Sequence, residues 1–95
     1  ASDRLQDFPS EVSARRIAQL ADDPAMIEQQ FPQRGQVDQL DHTDGLRITF
    51  ASQDVVHLRP SGNAPELRCY TESDSALGAE RLNEECLGVL ESWRE

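Results

Sequence analysis

The sequence contains no lysine and few aromatic residues. Its nine basic residues are all arginines and stand against eighteen acidic residues, which gives a formal net charge of −9. Nucleic-acid binding depends on cations that neutralise backbone phosphates, so this charge disfavours a DNA- or RNA-binding protein. Aromatic residues make up 5% of the chain, so no stacking platform for single-stranded bases is expected either.

Long apolar runs are missing as well. No stretch approaches the roughly 20 apolar residues that a membrane-spanning helix needs, and no basic segment followed by an apolar one indicates a secretory signal. We therefore expect a soluble, non-exported, cytoplasmic protein without a membrane partner. The chain begins at Ala1 rather than at a methionine and ends at Glu95 within a helical pattern. From this we expect a piece of a longer protein.

Cysteine is scarce, with Cys69 in a strand-like segment and Cys86 on a predicted helix face. Neither has a histidine at the spacing of zinc ligands, so a zinc site is not predicted. A structural disulfide is the alternative, but disulfides are uncommon in a reducing compartment. We interpret both cysteines as small buried apolar residues.

The acidic charge is unevenly distributed along the chain. Two arginines and one glutamate lie between Val55 and Arg68, so this segment carries +1 and the other residues together carry −10. A chain of 95 residues can form one small domain with one core, but not a deep enclosed active site in addition. Any anion-binding site should therefore be local and built from a few groups.

Sequence periodicity predicts one strand, a helical region, several strands and a final helix. Residues 3–8 form a candidate edge strand, and a helix with Ser10 as its N-cap follows and is broken at Pro24. Further strands are predicted around residues 37–40, 46–50, 55–58 and 67–71. Asp44-Gly45 is a predicted turn, and the last helix begins near Ala76. The strands are too close together for helical crossovers, which predicts a mainly antiparallel sheet with helices on one face, an α+β fold.

The most informative segment is the predicted loop 59–65 between two strands. Arg59 provides a planar fork of donors that matches phosphate oxygens, and Ser61 provides a hydroxyl. Gly62 permits a backbone that points N–H groups into one concavity, and Asn63 adds an amide. We identify no nucleophile–base pair in the loop, so it predicts binding rather than catalysis. The alternative is an ordinary turn of similar composition, although a turn requires no arginine at a strand edge.

Two other polar residues near the loop have competing interpretations. Arg68 is either a second phosphate ligand or a surface arginine, and we favour the surface role, with Glu66 or Glu72 as its partner. His57 alternates with apolar neighbours and is interpreted as a sheet-surface histidine, because no carboxylate or nucleophile is placed beside it by spacing.

The segment RPSGNAPELRCYTE (59–72) resembles the signature of the last domain of the α-D-phosphohexomutases. That signature reads Arg-x-Ser-Gly/Asn-Thr-x-Pro, then a strand with Leu-Arg, then Glu. The segment Asp44-Gly45-Leu46-Arg47-Ile48 is similar to the Asp-Gly-Val-Arg strand of the same family, and the resemblance covers most of the chain. Asn63 stands where the family usually has Thr, and Ala64 where it often has Glu. The Cys-Tyr pair after Arg68 favours phosphomannomutase-like members.

The resemblance implies a TATA-box-binding-protein-like fold of strand, helix, four strands and helix. Residues 1–95 would be the C-terminal phosphate-binding domain of a phosphohexomutase of the phosphomannomutase/phosphoglucomutase type. Arg59, Ser61, Gly62 and Asn63 would then hold the non-reacting phosphate of a phosphosugar substrate while hexose 6- and 1-phosphates are interconverted. The family uses a hexose 1,6-bisphosphate as intermediate and activator.

The resemblance also implies a division of labour between domains. The phosphoserine, the Mg²⁺-binding loop and the sugar-reading loop of the family lie in three preceding domains, which would be the partners of this chain. The chain alone is therefore expected to be inactive. Two alternatives remain: the same fold used as a non-catalytic protein-interaction domain, and a DNA-binding saddle. Fold analogy alone suggests the saddle, and the net charge opposes it.

Overall fold

The structure, a computed structural model of the chain, describes residues 1–61 and 65–94. These residues form strands and helices in the predicted order. The strands are β1 (Ser2–Leu5), β2 (Val37–Asp41), β3 (Leu46–Phe50), β4 (Val55–Pro60) and β5 (Leu67–Glu72). The helices are α1 (Ser10–Asp22), α2 (Pro24–Gln30) and α3 (Ala76–Glu91).

The strands form a single sheet in the order β1-β5-β4-β3-β2, and every neighbouring pair is antiparallel. Strands β2 to β5 follow one another through short connections, which antiparallel pairing permits. The first strand lies at the far edge, next to β5, because the helical segment α1–α2 carries the chain back across the sheet. The predicted α+β fold with a mainly antiparallel sheet is confirmed.

One face of the sheet is buried and the other is open, because apolar and polar residues alternate along the strands. In β3, Leu46, Ile48 and Phe50 are buried, whereas Arg47 is exposed between them. The same alternation runs along β5. The helices cover the apolar face, so the charged residues of the strands are gathered on the open face.

The helices are held by apolar residues on the side that faces the sheet. In α3, Leu82, Cys86 and Leu90 recur every four residues and are fully buried. Each large apolar side chain buried in this way contributes about 1.5–3 kcal/mol. Among the helices of the described residues, none has the length and apolar character required to cross a membrane.

A proline separates the first two helices, as predicted. Pro24 has no N–H to donate within α1, but it suits the first position of α2. The Asp23 side chain caps α2 by accepting a hydrogen bond from the Met26 N–H at 3.2 Å. The chain therefore ends one helix and begins the next within two residues.

The predicted N-cap Ser10 is wrong by one residue. Ser10 is the first residue of α1, and Pro9 occupies the capping position without a side-chain hydrogen bond. The Pro9 carbonyl accepts hydrogen bonds from the N–H groups of Val12 and Ser13, each at 3.1 Å. Backbone groups thus supply the hydrogen bonds that a side chain was expected to provide.

The fourth strand is longer than predicted, because Arg59 and Pro60 belong to β4 rather than to the following loop. Both residues continue the register with β5. A proline is tolerated at this point because β3 begins opposite Leu58, so beyond Leu58 the strand has a partner on one side only.

The first strand is shorter than the predicted segment 3–8. It ends at Leu5, and Asp7 then adopts a φ of +56°, which no extended strand accommodates. Phe8 turns into the core and is fully buried. The prediction of an edge strand at this position is nevertheless confirmed.

Both cysteines are free and buried, which confirms their interpretation as small core residues. The hydrogen bond with Cys69, together with burial, raises the pKa of the Cys86 thiol well above its usual value. That thiol therefore stays protonated, and a protonated thiol is a poor nucleophile.

Candidate functional site

Three arginines lie side by side at one end of the open face. Arg59, near the end of β4, pairs in register with Arg68 of β5, and Arg68 pairs in turn with Arg4 of β1. Directly opposed residues point to the same face of a sheet, and all three are exposed. We refer to Arg4, Arg68 and Arg59 as the arginine row. Like charges in opposed positions destabilise a sheet, so the row lowers stability unless anionic groups lie near it.

Two carboxylates contact the arginine row. Asp44 Oδ2 lies 3.1 Å from Arg59 Nε. Glu66 Oε2 lies 3.7 Å from Nη2 of Arg68 and 3.9 Å from Nη1 of Arg4. Glu66 is thus shared between two guanidinium groups at distances longer than a hydrogen bond. Among the described residues, these contacts neutralise the row only in part, which favours an anionic ligand.

The loop that follows β4 is anchored at both of its described ends. The Ser61 N–H donates to the Glu66 carbonyl at 3.0 Å, and the Phe8 N–H donates to the Pro65 carbonyl at 2.6 Å. Phe8 is itself covered by the Arg94 guanidinium, 5.4 Å from the ring centre. Ser61 is therefore held beside the arginine row. The predicted ligands Gly62 and Asn63 lie outside the described residues.

The turn between β2 and β3 approaches the same end of β4. Gly45 has a φ of +68°, and a Cβ added to it would overlap the carbonyl oxygen of Leu58. Only glycine allows the turn to come this close to the strand. The approach brings Asp44 next to Arg59, so the predicted Asp44-Gly45 turn is confirmed and also forms part of the site.

A histidine and a tyrosine occupy the open face next to the arginine row. His57 and Tyr70 are register partners, and their ring centres are 5.9 Å apart. His57 Nε2 lies 2.7 Å from the Asp44 carbonyl oxygen. A carbonyl oxygen only accepts, so Nε2 carries the hydrogen. The predicted sheet-surface position of His57 is confirmed.

Two open hollows flank the arginine row. One of about 260 Å³ is lined by Asp41, Thr43, Asp44, Arg47 and His57. The other, of about 220 Å³, is lined by Ser2, Asp3, Arg4, Arg68 and Tyr70. The second hollow includes Arg4 and Arg68 of the arginine row, whereas the first adjoins the row only through Asp44.

A different group of charges lies at the opposite end of β4 and β5. Arg34 donates to Glu85 Oε2 at 2.8 Å through Nη2 and at 3.2 Å through Nε, and to Asp54 Oδ2 at 3.2 Å through Nη1. Asp54 also accepts hydrogen bonds from the hydroxyls of Ser52 and Ser73, at 3.0 and 2.8 Å. We refer to these five side chains as the Arg34 cluster.

In the Arg34 cluster one guanidinium group is paired with two carboxylates, so the formal charge of the cluster is −1. The hydrogen bond with Glu85 raises the pKa of Arg34, against the opposing effect of burial. Burial would raise the pKa of Asp54, but hydrogen bonds from Ser73, Ser52 and Arg34 outweigh it and hold that pKa below its usual value. The cluster satisfies its own hydrogen bonds, so its role is structural rather than ligand binding.

The arginine row can bind and orient an anion. Guanidinium groups are donors that match the oxygens of a phosphate, and Ser61 adds a hydroxyl beside them. Within the described ranges 1–61 and 65–94, no three His, Cys, Asp or Glu side chains are placed to hold a metal ion together. The residues present therefore do not fit the Mg²⁺ that the family resemblance implies for a parent enzyme.

The sequence identifies Arg59 but not its neighbours in the row. The alternation around Arg68 predicts which face it occupies, and its contact with Glu66 agrees with the partner expected from sequence. Its position opposite Arg59 depends on the register between β4 and β5. Arg4 has no sequence signal, because its place depends on β1 pairing with β5 across the whole chain.

Comparison with known proteins provides independent evidence on the family of this chain. The sequence profile described as "Phosphoglucomutase/phosphomannomutase, C-terminal domain" matches residues 11–89. A phosphomannomutase of Sinorhizobium fredii (strain NBRC 101917 / NGR234) is 43% identical over 91 residues, which cover 96% of the chain and 19% of that protein. A phosphomannomutase of Salmonella muenchen is 40% identical over 92 residues, with the same two shares. The chain thus spans about a fifth of the length of these relatives.

Proposed function

The chain belongs to the phosphoglucomutase/phosphomannomutase family, to its C-terminal domain, and on this premise we propose that it is the phosphate-binding domain of a phosphomannomutase-like enzyme. The parent enzyme would interconvert hexose 6-phosphate and hexose 1-phosphate. Residues 1–95 would hold the phosphate that does not react. The proposed ligands are Arg59, Ser61, Gly62 and Asn63, and the register with Arg59 adds Arg68 to them.

The observation that carries this proposal is the arginine row beside the anchored loop. Three guanidinium groups side by side are unfavourable unless an anion binds between or above them. A phosphate monoester has several oxygens that accept hydrogen bonds from such donors, and bidentate contacts with arginine fix its orientation. Ser61, held next to Arg59 by the ladder between β4 and β5, supplies a further donor.

Holding a non-reacting phosphate contributes to catalysis by positioning the sugar. Binding energy at this distant group fixes the orientation of the reacting carbon and its phosphate relative to the catalytic groups. Those groups, the Mg²⁺ and the bisphosphate activator would belong to the three other domains of a cytoplasmic parent enzyme. The 95-residue chain is accordingly expected to show no mutase activity alone, and movement of the domain would admit and release substrate.

An NMR titration of the ¹⁵N-labelled chain tests the proposal. Mannose 6-phosphate, glucose 6-phosphate and inorganic phosphate should shift the amide signals of Arg59, Ser61, Gly62 and Asn63 in a similar way, because the phosphate is the common group. One domain provides only one wall of a cleft, so we expect a Kd on the order of millimolar. A ligand-specific pattern would contradict a phosphate clamp that leaves sugar choice to other domains.

A pair of arginine variants distinguishes the site from general charge effects. Arg59→Ala should weaken phosphate binding about tenfold or more, because hydrogen bonds to charged groups are among the strongest. Arg47→Ala removes the same charge from the same face and should leave the Kd almost unchanged. Arg47 is 45% exposed and Arg59 50% exposed, and each contacts one carboxylate at 3.1 Å. Equal losses in both variants would refute the site.

The alternative, a protein-interaction domain without phosphate binding, predicts a different result. Phosphate and both hexose phosphates would then leave the loop signals unchanged up to concentrations well above millimolar. A third outcome, phosphate-induced shifts at the Arg34 cluster and not at the arginine row, would overturn the proposed site.

A further inference from the structure

Asp44 forms an ion pair with Arg59 on the Nε side of its guanidinium group. Its Oδ2 lies 3.1 Å from Arg59 Nε. In a guanidinium group, Nε and one Nη form a parallel pair of donors that binds a carboxylate or a phosphate in the same geometry. A phosphate that approaches this side of Arg59 therefore meets the Asp44 carboxylate at the same position. Two anions held beside the same guanidinium group repel each other.

The backbone of Asp44 is fixed, whereas its side chain is exposed. Gly45 packs the turn against the Leu58 carbonyl, and the Asp44 carbonyl accepts a hydrogen bond from His57 at 2.7 Å. The Asp44 side chain is 64% exposed. The carboxylate can therefore rotate away from Arg59 into solvent without movement of the turn.

We infer that Asp44 sets the affinity of Arg59 for phosphate by competing with it within the molecule, an inference that rests on the phosphate-binding function proposed above. Without ligand, the Asp44 carboxylate pairs with Arg59 and holds the Arg59 side chain at the proposed phosphate site. A phosphate monoester displaces the carboxylate, which rotates into solvent. On release of the ligand, the carboxylate returns to Arg59. The pair thus keeps Arg59 ordered between ligands and weakens phosphate binding.

The size of the effect follows from the exposure of the pair. Exposed ion pairs are weak, so the competition should be modest. Asp44→Asn removes the charge and keeps a residue that favours turns. We expect this variant to bind inorganic phosphate about two- to fivefold more tightly than the wild type. Asp44→Ser, another turn-favouring residue, should behave in the same way.

Glu72→Gln is a matched control for the change in charge. Glu72 Oε2 contacts Arg47 Nη2 at 3.1 Å, and the two side chains are 65% and 45% exposed. For Asp44 and Arg59 the distance is also 3.1 Å, and the exposures are 64% and 50%. The control alters the net charge by the same amount at the opposite end of β5. The phosphate affinity of Glu72→Gln should change by less than about 1.5-fold, because solvent and salt screen the interaction between residue 72 and a phosphate bound at Arg59.

The experiment is an NMR titration of inorganic phosphate into the wild-type chain, the three variants, Arg59→Ala and the double variant D44N/R59A. Tighter binding by Asp44→Asn and Asp44→Ser, but not by Glu72→Gln, supports the competition. In the Arg59→Ala background, Asp44→Asn should have no effect, because the guanidinium group for which the two anions compete is gone.

The other outcomes separate the two proposals. If wild type and Asp44→Asn bind phosphate at the loop with the same Kd, the competition is overturned and the phosphate-binding function stands. The same holds if Asp44→Asn and Glu72→Gln tighten binding equally. If neither wild type nor Asp44→Asn binds phosphate at the loop, the proposed function fails, and the inference about Asp44 fails with it.

Discussion

Arginine side chains lie at both ends of strands β4 and β5, but their surroundings differ. At one end, Arg34 is 19% exposed and donates to two carboxylates at 2.8 to 3.2 Å. At the other end, Arg59 is 50% exposed with Asp44 at 3.1 Å, and Glu66 lies 3.7 Å from Arg68. The first arrangement is closed by groups of the chain itself, and the second is partly open to solvent.

The comparison separates groups that stabilise the fold from groups that we propose bind a ligand. Removing one partner of a largely buried pair leaves a charge without compensation and is strongly destabilising. An exposed pair contributes about 0–1 kcal/mol, so its members can exchange partners at little cost. Strands β4 and β5 both run from the Arg34 cluster to the arginine row. By holding one end of these strands, the cluster also helps to position the row at their other end.

The largest difference in stability is expected when the glycine beside each end of the two strands is replaced by alanine. Gly45 and Gly35 both have positive φ, +68° and +81°. A Cβ at Gly45 would overlap the Leu58 carbonyl oxygen, whereas within the described part of the chain nothing lies within 4 Å of a Cβ at Gly35. Gly45→Ala should lower the free energy of unfolding by about 3 kcal/mol and Gly35→Ala by about 1 kcal/mol. Urea denaturation measures both, and equal losses would contradict the close approach of the turn to β4.

Matched neutralisation of one aspartate at each end should give the next largest difference. Asp54→Asn removes the acceptor charge that Arg34, Ser52 and Ser73 share, and should lower the free energy of unfolding by about 2 kcal/mol. Asp44→Asn should lower it by less than about 0.5 kcal/mol, because its pair with Arg59 is exposed. Chemical denaturation near neutral pH checks both values. A larger loss for Asp44→Asn would reverse the roles assigned to the two ends.

Acid should reduce the contribution of Asp54 selectively. Its pKa is held below the usual value by hydrogen bonds from Ser73, Ser52 and Arg34 that outweigh burial, so the unfolded chain takes up a proton more readily than the folded one. Its contribution is therefore complete above the unfolded carboxyl pKa of about 3.9 and is lost as the pH falls through the lower folded value. The stability difference between wild type and Asp54→Asn should narrow below about pH 4. A difference that stays constant down to about pH 2 would show that the carboxylate charge is unimportant.

Salt should affect the two ends differently and gives the smallest expected effect. Raising NaCl from about 0.05 M to about 0.5 M shortens the Debye length several-fold. Phosphate binding at the exposed arginine row should weaken about threefold, whereas the free energy of unfolding should change by less than about 0.5 kcal/mol. Sodium sulfate should be avoided, because sulfate would compete for the row. Phosphate affinity that is independent of NaCl would argue against binding by exposed guanidinium groups.

Sequence patterns were sufficient for most of the secondary structure. Alternation at Leu46, Ile48 and Phe50 and the four-residue spacing at Leu82, Cys86 and Leu90 predict elements that the structure confirms. The errors occur at element ends. Pro9 rather than Ser10 occupies the N-cap position of α1, and Arg59 lies in β4 rather than in the loop. Ends depend on hydrogen bonds with distant backbone groups, which a local pattern does not contain.

The candidate site was predictable only in part. The loop motif pointed to Arg59 and Ser61, and the structure holds Ser61 beside the row through Glu66. Phosphate binding by Arg59, Ser61, Gly62 and Asn63 remains a prediction. Neither the contact between Asp44 and Arg59 nor the Arg34 cluster could be predicted, because each joins residues from different strands or helices.

The sequence by itself determined the two faces of the sheet, the helix stripes, the turn at Asp44-Gly45 and the presence of an arginine beside the loop that we propose binds an anion. These features depend on the spacing of neighbouring residues, which the chain fixes covalently. Only the tertiary structure decided that three arginines lie side by side, that Asp44 lies 3.1 Å from one of them, and that Arg34 lies between two carboxylates at the far end. Those relations depend on strand register and on long-range pairing, which are set by the packing of the whole domain.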